Sequence, residues 1–147
     1  MILKLDLAVP SDAALIDNLV MRISGMLQGA PCGKDLEAIE LALQEALANA
    51  IVHGNRNHPA LAARLCLAVY KDCRVQVVVK DLGEGFDPSH LRSPVVGENL
   101  LASHGRGIFL VKHLMDEVEF RFHGGTEIRM QHHGTADGKA TAAACRK

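Results

Sequence analysis

The chain has 147 residues and a mass of 15.8 kDa, which corresponds to one domain with a sizeable core. Hydrophobic residues make up 48% and charged residues 22%, so disorder over the whole chain is excluded. The net charge of −1 and the aromatic content of 3% argue against two classes of nucleic-acid binder. One holds the phosphates by bulk positive charge, and the other stacks bases on aromatic rings. No apolar run approaches the ~18–20 residues of a membrane span.

The cysteines and the N-terminus give little sign of a secreted protein. Cysteines occur at four positions: Cys32, Cys66, Cys73 and Cys145. They form no C-x-x-C pair and no regular framework, so we expect reduced thiols in a cytoplasmic protein. Asp6 and Pro10 interrupt the apolar stretch that a signal peptide would need, so this segment predicts a first strand.

The first third of the chain predicts one strand and two helices. Apolar and polar residues alternate over 2–9, which indicates a half-buried strand. Ser11 and Asp12 are suitable N-caps for an amphipathic helix that ends at the glycines around position 30. A second amphipathic helix is predicted over 34–53, with Gly54 as its C-terminal stop.

The rest of the chain predicts four strands and a third helix. The strands cover 61–70, 74–81, 118–122 and 126–131, and the helix covers 107–116. The stretch 82–106 is rich in glycine and proline, and a loop of that length is usually functional or mobile. Residues 132–147 have no pattern, so we expect a disordered tail after a single domain of 1–131. The order of elements predicts an α+β two-layer sandwich, with helices on one face of a mostly antiparallel (mixed) sheet.

Three polar side chains recur along the second predicted helix. Glu45, Asn49 and His53 stand at i, i+4 and i+8 and therefore share one face. Asparagine is a poor residue for a helix interior, which makes this row unusual on an apolar segment. A catalytic row and the polar edge of an ordinary amphipathic helix both fit this spacing.

The segment after the valine-rich strand reads Asp-Leu-Gly-Glu-Gly. Asp81 stands at the end of the strand, where its carboxylate can accept a hydrogen bond inside a pocket. Gly83 and Gly85 let the backbone turn sharply and approach a ligand closely. A plain turn is the alternative.

Glycines also flank an arginine where the third helix is predicted to begin. Free amides at a helix N-terminus bind anions, and Arg106 between Gly105 and Gly107 adds a charge-assisted donor. The motif is weak alone. It is neither a P-loop nor a dinucleotide-binding fingerprint, because the sequences and strand context that define those motifs are missing.

In this order, the three segments resemble the Bergerat-fold ATP-binding domain of the gyrase, Hsp90, histidine-kinase and MutL superfamily. EALANAIVHGN, DLGEGFD and GRGIFLVKHLMDEVEF look like the N, G1 and G2 boxes of bacterial anti-sigma-factor serine/threonine kinases of the RsbW type. Gly125-Thr126 matches the family's terminal G-T pair, and the resemblance covers residues 1–131. No helix with a phospho-accepting histidine precedes the N box, which argues against a complete histidine kinase.

The resemblance implies roles around ATP and Mg²⁺ for the residues of the helix row. Glu45 would be the general base that takes the proton from a serine hydroxyl of a protein substrate. Asn49 would ligate Mg²⁺ through its side-chain oxygen. His53, one turn farther on, could contact phosphate.

The resemblance also implies roles for the glycine-rich segments. Asp81 would accept from the adenine amino group, and Thr126 would support the base through a hydrogen bond. Room for the ring would come from Gly83 and Gly85. The β- and γ-phosphates would be held by Arg106 and the amides of Gly105 and Gly107. Residues 88–104 would form the ATP lid.

Two functions remain open at this stage. One is a cytoplasmic ATP-dependent serine/threonine kinase that phosphorylates an anti-anti-sigma (STAS) protein and sequesters a sigma factor. The other is an ATP-dependent binding module without significant kinase activity. Glu45 favours the kinase, because ATP binding alone needs no base. Neither function involves nucleic acid or a membrane.

The resemblance also implies a homodimer and a partner surface around the first helix. Met21, Arg22 and Met26 are the candidate residues there. The alternative is that the two methionines belong to the core and that Arg22 is solvated.

Overall fold

The computed structural model describes residues 1–30, 35–83 and 103–134, with 103–106 described as backbone only. The strands are β1 (Leu3–Pro10), β2 (Ala62–Val69), β3 (Arg74–Lys80), β4 (Glu117–Phe122) and β5 (Thr126–His133). The helices are α1 (Ile16–Gln28), α2 (Leu36–Ala48) and α3 (Ser103–Leu114). A 3-10 turn (Ala13–Leu15) leads into α1, and a π-helix (Asn49–Gly54) continues α2.

The five described strands form one sheet in the order β1-β2-β3-β5-β4. Each neighbouring pair is antiparallel. After β3 the chain passes through α3 to the edge strand β4, and β5 then returns to pair with β3. The end of β3 therefore lies beside the start of β5, with Lys80 opposite Glu127. The structure confirms the predicted α+β class.

The helices cover one face of the sheet, and the core lies between the two layers. Alternate residues of the central strands are almost fully buried, among them Leu65 and Leu67 of β2 and Val75, Val77 and Val79 of β3. Each helix adds buried aliphatic side chains: Ile23 from α1, Leu43 and Leu47 from α2, and Val111 from α3. Burial of one such side chain contributes about 1.5–3 kcal/mol, so aliphatic residues can build this core with few aromatic rings.

The second predicted helix changes its winding at the residues that the sequence singled out. Regular α-helix ends at Ala48, and the following residues form a π-helix in which the Asn55 amide donates to the Ala50 carbonyl at 2.8 Å. The chain is therefore helical to Gly54, next to the predicted end at residue 53, and only the winding of the last turn differs from a regular α-helix. π-helical turns are rare and are found frequently at functional sites.

The third helix begins at Ser103, four residues before the predicted start. Gly107 consequently lies inside the helix, where its amide belongs to the regular i to i−4 pattern, while Gly105 stays in the first turn. Residues 88–102 of the expected lid lie outside the described residues. So does the expected tail from residue 135 onward, whereas β5 itself runs to His133.

One histidine joins the helical layer to the end of the sheet. His132 Nε2 lies 3.1 Å from an Asp35 oxygen just before α2, and its Nδ1 lies 3.3 Å from an Asp116 oxygen just before β4. Its side chain is 13% exposed, whereas that of the neighbouring His133 is 51% exposed. His132 therefore joins the β4–β5 hairpin to the start of α2, which is 97 residues away in sequence.

The cysteines depart from the expectation of reduced thiols. Cys73 is buried and disulfide-bonded, while Cys66 is a free thiol on β2. Burial raises the pKa of the Cys66 thiol, and its hydrogen bond to Asp6 acts in the same direction.

None of the helices in the described ranges could span a bilayer, since each is too short or too polar.

Candidate functional site

Asp81 is a buried carboxylate at the end of β3, with 2% of its surface exposed. Its Oδ1 accepts from the Gly83 amide at 2.9 Å and from the Thr126 amide at 3.1 Å. Its own amide donates to the Thr126 carbonyl at 3.0 Å. These bonds fix the carboxylate in the gap between the ends of β3 and β5. The sequence placed Asp81 and Thr126 in one pocket, and the structure brings them together.

Burial is the main influence on the charge of Asp81. Desolvation raises the pKa of this carboxyl above its ordinary value, while the amides of Thr126 and Gly83 act in the opposite direction. A buried carboxylate with a raised pKa beside a cavity is a candidate functional group.

Three glycines make the space around Asp81. A Cβ on Gly54 would overlap the Asp81 carboxyl, and a Cβ on Gly83 would overlap the Gly54 carbonyl. A Cβ on Gly125, whose φ is +122°, would overlap the Asp81 carbonyl. The backbone of three separate segments therefore closes on one side chain, and only glycine fits at each approach.

Glu45 and Asn49 project from one side of α2 and its π-helical extension toward α3. A Cβ added to Gly107 would overlap Glu45 Oε2 and would lie 3.8 Å from Asn49 Nδ2. Asn49 is 8% exposed, and among the described atoms its Nδ2 is buried without a hydrogen-bond partner. An unpaired buried donor costs about 1–3 kcal/mol, which indicates a group kept for a ligand. The helix row and the G2 segment therefore meet in space.

A small cavity joins the two halves of the site. It is lined by Ala46, Asn49, Ala50, Val79, Asp81, Phe120, Thr126 and Ile128. Its walls are aliphatic apart from Phe120, and its polar residues are Asp81, Asn49 and Thr126. Apolar walls with a few polar groups are the usual composition of a small-molecule pocket. Its residues come from α2, the π-helix, β3, β4 and β5.

The remaining candidate residues either do not line this cavity or lie outside the described part. His53 is half-buried on the π-helix, directly before Gly54. Gly105 and Arg106 lie in the first turn of α3, where only the backbone is described. Gly85 lies outside the described residues.

Sequence reasoning missed two positioning residues. Gly54 was interpreted as a helix stop, yet it also provides the close approach to Asp81. Asn55 was assigned to a loop, yet it is 2% exposed and hydrogen-bonded through both side-chain polar atoms. The stretch His-Gly-Asn offered a helix-stop signal only, because the partners of Asn55 are distant in sequence.

The exposure of α1 excludes the core interpretation of its two methionines. Met21 is 66% exposed and Met26 is 51% exposed, so neither is a core residue. Arg22 is also exposed and donates from Nε to Asn18 at 2.9 Å. The core alternative was therefore wrong for both methionines.

A comparison with known families agrees with this geometry. The profile of the histidine kinase-like ATPase domain matches residues 9–132, which is most of the chain. The chain belongs to the histidine kinase-like ATPase family. This result confirms the resemblance drawn from the N, G1 and G2 boxes.

Individual relatives within the histidine kinase-like ATPase family give a more specific assignment than the family profile does. The chain is 31% identical over 134 residues to the serine-protein kinase RsbW of Staphylococcus epidermidis, covering 86% of this chain and 84% of that protein. It is 28% identical over the same shares to the RsbW of Staphylococcus aureus strain MSSA476. Within the family, the chain is therefore of the RsbW type.

Solved structures support the fold. The RsbU and RsbW domains of Rv1364c from Mycobacterium tuberculosis match 90% of this chain and 32% of that one, with a TM-score of 0.61 and 18% identity. The histidine kinase domain from the Erythrobacter litoralis EL346 blue-light activated histidine kinase matches 84% of this chain and 61% of that one, with a TM-score of 0.54 and 18% identity. The histidine kinase-like ATPase fold is shared, while the sequences have diverged.

Proposed function

We propose that this protein is an ATP-binding serine/threonine kinase and anti-sigma factor that phosphorylates an anti-anti-sigma (STAS) protein and sequesters a sigma factor. The observation that carries the proposal is the placement of Glu45 against Gly107, next to Asn49 and a cavity that reaches Asp81. Nucleotide recognition needs only Asp81 and the glycines. A carboxylate beside Asn49, at Glu45, supplies what transfer to a hydroxyl requires.

The adenine end of the site is assigned to Asp81, Gly83, Gly85 and Thr126. Backbone amides occupy Oδ1 of Asp81, so we assign Oδ2 as the acceptor for the adenine amino group. Guanine carries an oxygen at the corresponding position and would face the carboxylate with an acceptor. The site should therefore select ATP over GTP.

Mg²⁺ fits the phosphate end of the site. Magnesium prefers oxygen ligands and usually takes most of them from phosphates and water, with one or two from the protein. Asn49 lines the cavity, and its side-chain oxygen can provide such a ligand. His53, Gly105 and Arg106 are the candidates for the phosphate groups. The Gly107 amide, which was expected to share this role, lies inside α3 and is used by the helix.

Glu45 is the candidate general base. As the serine oxygen forms its bond to the γ-phosphorus, the bond from that phosphorus to the ADP oxygen breaks, and Glu45 takes the serine proton. A positioned general base contributes a factor of about 10²–10⁴ in rate. ADP and the phosphoserine protein are the products.

The partner surface is assigned to the exposed face of α1, with Met21, Arg22 and Met26. Exposed methionines suit surfaces that bind proteins, because the side chain is flexible and polarizable. A homodimer through this face and a cytoplasmic location belong to the same proposal.

Mixing the protein with ATP, Mg²⁺ and its cognate STAS protein tests the proposal. We expect phosphate on a serine of the STAS protein. The Glu45→Ala variant should bind ATP with near-normal affinity but transfer phosphate about 10²–10⁴ times more slowly. Gln44→Ala, which alters the exposed neighbour, is the matched control and should transfer normally.

The result also separates the two candidate functions. Absence of transfer by the intact protein, together with nucleotide-dependent binding of the sigma factor, would favour the binding module. Persistent transfer by Glu45→Ala would show that Glu45 is structural.

A further inference from the structure

Asn55 forms a buried polar junction between three distant segments. It is 2% exposed, and its Oδ1 accepts from the Leu82 amide at 2.8 Å. Its Nδ2 donates to Ser11 Oγ at 3.0 Å, and that hydroxyl donates to the Leu61 carbonyl. One side chain therefore connects the end of the π-helix to the segment after β3 and to the turn after β1.

The backbone around Asn55 is also fixed. Its amide donates to Ala50 at 2.8 Å, and its carbonyl accepts from the His58 amide at 2.9 Å. The next two residues, Arg56 and Asn57, have φ values of 52° and 53°. Left-handed conformation costs a non-glycine residue about 1–2 kcal/mol, and such strain persists only where the surrounding structure imposes it. The turn that follows Asn55 therefore contains two residues in an unfavourable backbone conformation.

The hydrogen bond between the Leu82 amide and Asn55 restrains the segment at the adenine end of the proposed site. Leu82 lies between Asp81 and Gly83, and the Gly83 amide is one of the two donors to Asp81 Oδ1. The Leu82 side chain is 54% exposed, so side-chain packing does little to hold this residue. Gly83 approaches the Gly54 carbonyl so closely that no Cβ fits. The Asn55 bond is therefore a principal restraint on the turn that orients the Asp81 carboxylate.

We infer that Asn55 is a positioning residue for recognition of the adenine base, acting through Leu82 and Gly83 on Asp81. The inference rests on the proposed ATP site and extends it to a residue that does not line the cavity. Without the side-chain amide of Asn55, the backbone N–H of Leu82 loses its hydrogen-bond acceptor, and the turn that contains Leu82 and Gly83 can move. The Gly83 amide is then released from Asp81, and the carboxylate loses the orientation that distinguishes adenine from guanine.

Nucleotide affinity of the Asn55→Ala variant tests the inference. Loss of one hydrogen bond corresponds to about 0.5–1.5 kcal/mol, so we expect ATP affinity to fall by a factor of about 3–10. GTP affinity should change little, because guanine gains nothing from a well-placed carboxylate. The ratio of the two affinities, measured by calorimetry, should therefore fall by the same factor.

Ser11→Ala is the matched control, because it removes a hydroxyl from the same buried network and leaves the Leu82 bond in place. It should lower stability to an extent similar to Asn55→Ala and keep the ATP-to-GTP ratio. An unchanged ratio in a folded Asn55→Ala variant would overturn the inference and leave Asn55 a structural residue. Equal losses of selectivity in both variants would also overturn it.

Amide hydrogen exchange without nucleotide separates this inference from the proposed function. Asn55→Ala should accelerate exchange at Leu82 and Gly83, and Ser11→Ala should not. Unchanged exchange overturns the inference whether or not ATP binds, whereas failure of the unmodified protein to bind ATP overturns the proposed function. If Asn55→Ala does not fold, Asn55→Asp keeps an acceptor for Leu82 and should keep selectivity. Loss of selectivity in that variant would count against the inference.

Discussion

Asp81 has a structural role at the end of β3, and the proposed function gives it a recognition role as well. Its Oδ1 closes the gap between β3 and β5 through two backbone amides, and the carboxyl group borders the cavity. The same burial that isolates the group from water raises its pKa. The strand-end position predicted an acceptor in a pocket, and the family resemblance implied that it binds adenine. The structural role depends on Thr126, which is 45 residues away in sequence.

Adenosine affinity should therefore depend on pH through Asp81. The ionised carboxylate accepts from the adenine amino group, so affinity should fall as the pH drops through the raised pKa, above the ordinary aspartate value of 3.8. Calorimetric titration with adenosine, which has no phosphates that titrate, measures the effect. Asp81→Asn should fold and bind weakly with little pH dependence. Affinity that stays constant down to the ordinary aspartate range would contradict the assignment.

The raised pKa of Asp81 affects folding in the direction opposite to its effect on adenosine affinity. A carboxyl with a pKa raised in the folded state favours folding while it is protonated, and this contribution is lost as the pH rises through the folded-state pKa. Folding alone therefore favours the protonated carboxyl, whereas the proposed recognition of adenine needs the ionised one.

At the scale of elements, the packing of α2 against α3 determines the phosphotransfer end of the site. The sequence predicted both helices and their polar residues. It could not predict that Gly107 lies against Glu45, because this contact depends on how two helices separated by a long segment pack together. The π-helix likewise follows from tertiary context, since α-helix was the local preference of the sequence.

Gly107→Ala tests this contact. The new methyl group would overlap Glu45 Oε2, and the flexible side chain can move away with little strain. Alanine is also about 1 kcal/mol better than glycine inside a helix. We therefore expect stability that is equal or higher, near-normal ATP affinity and phosphotransfer reduced by about tenfold or more, which is 1.4 kcal/mol in the barrier.

Gly25→Ala on α1 is the control, because no atom lies within 4 Å of the added methyl group. It should raise helix stability without any effect on transfer. Normal transfer by Gly107→Ala would show that the position of Glu45 is not critical.

At the scale of the whole molecule, two connections hold the layers in register besides the apolar core. His132 joins the sheet to the start of α2, and the Asn55 network joins the β1 turn to the end of β3. Both connections lie at the ends of helices or strands, where the local sequence gives little information about which distant residues come into contact. The layers themselves follow from the alternation of apolar residues along β2 and β3.

Replacing His132 with alanine should lower the free energy of unfolding by up to about 2 kcal/mol, with the larger loss at a pH where the imidazole is protonated. The imidazole is mostly buried, but Asp35 and Asp116 are 47% and 39% exposed, so each pair contributes about 0.2–1 kcal/mol after solvent screening. Urea unfolding measures the loss. His133→Ala, at an exposed neighbour, should change stability by less than about 0.5 kcal/mol. Equal effects of the two variants would contradict the bridging role.

The amino-acid sequence by itself determined the fold class, the order of elements and the residue types of the site. These features depend on local periodicity and on ordered motifs that occupy short stretches of chain. Asp81, Glu45 and Asn49 could be named from such stretches. Tertiary structure alone decided the close approaches of Gly54, Gly107 and Gly125, the start of α3 and the role of Asn55. Each of these depends on contacts between residues that are distant in sequence, where packing and burial outweigh local preference.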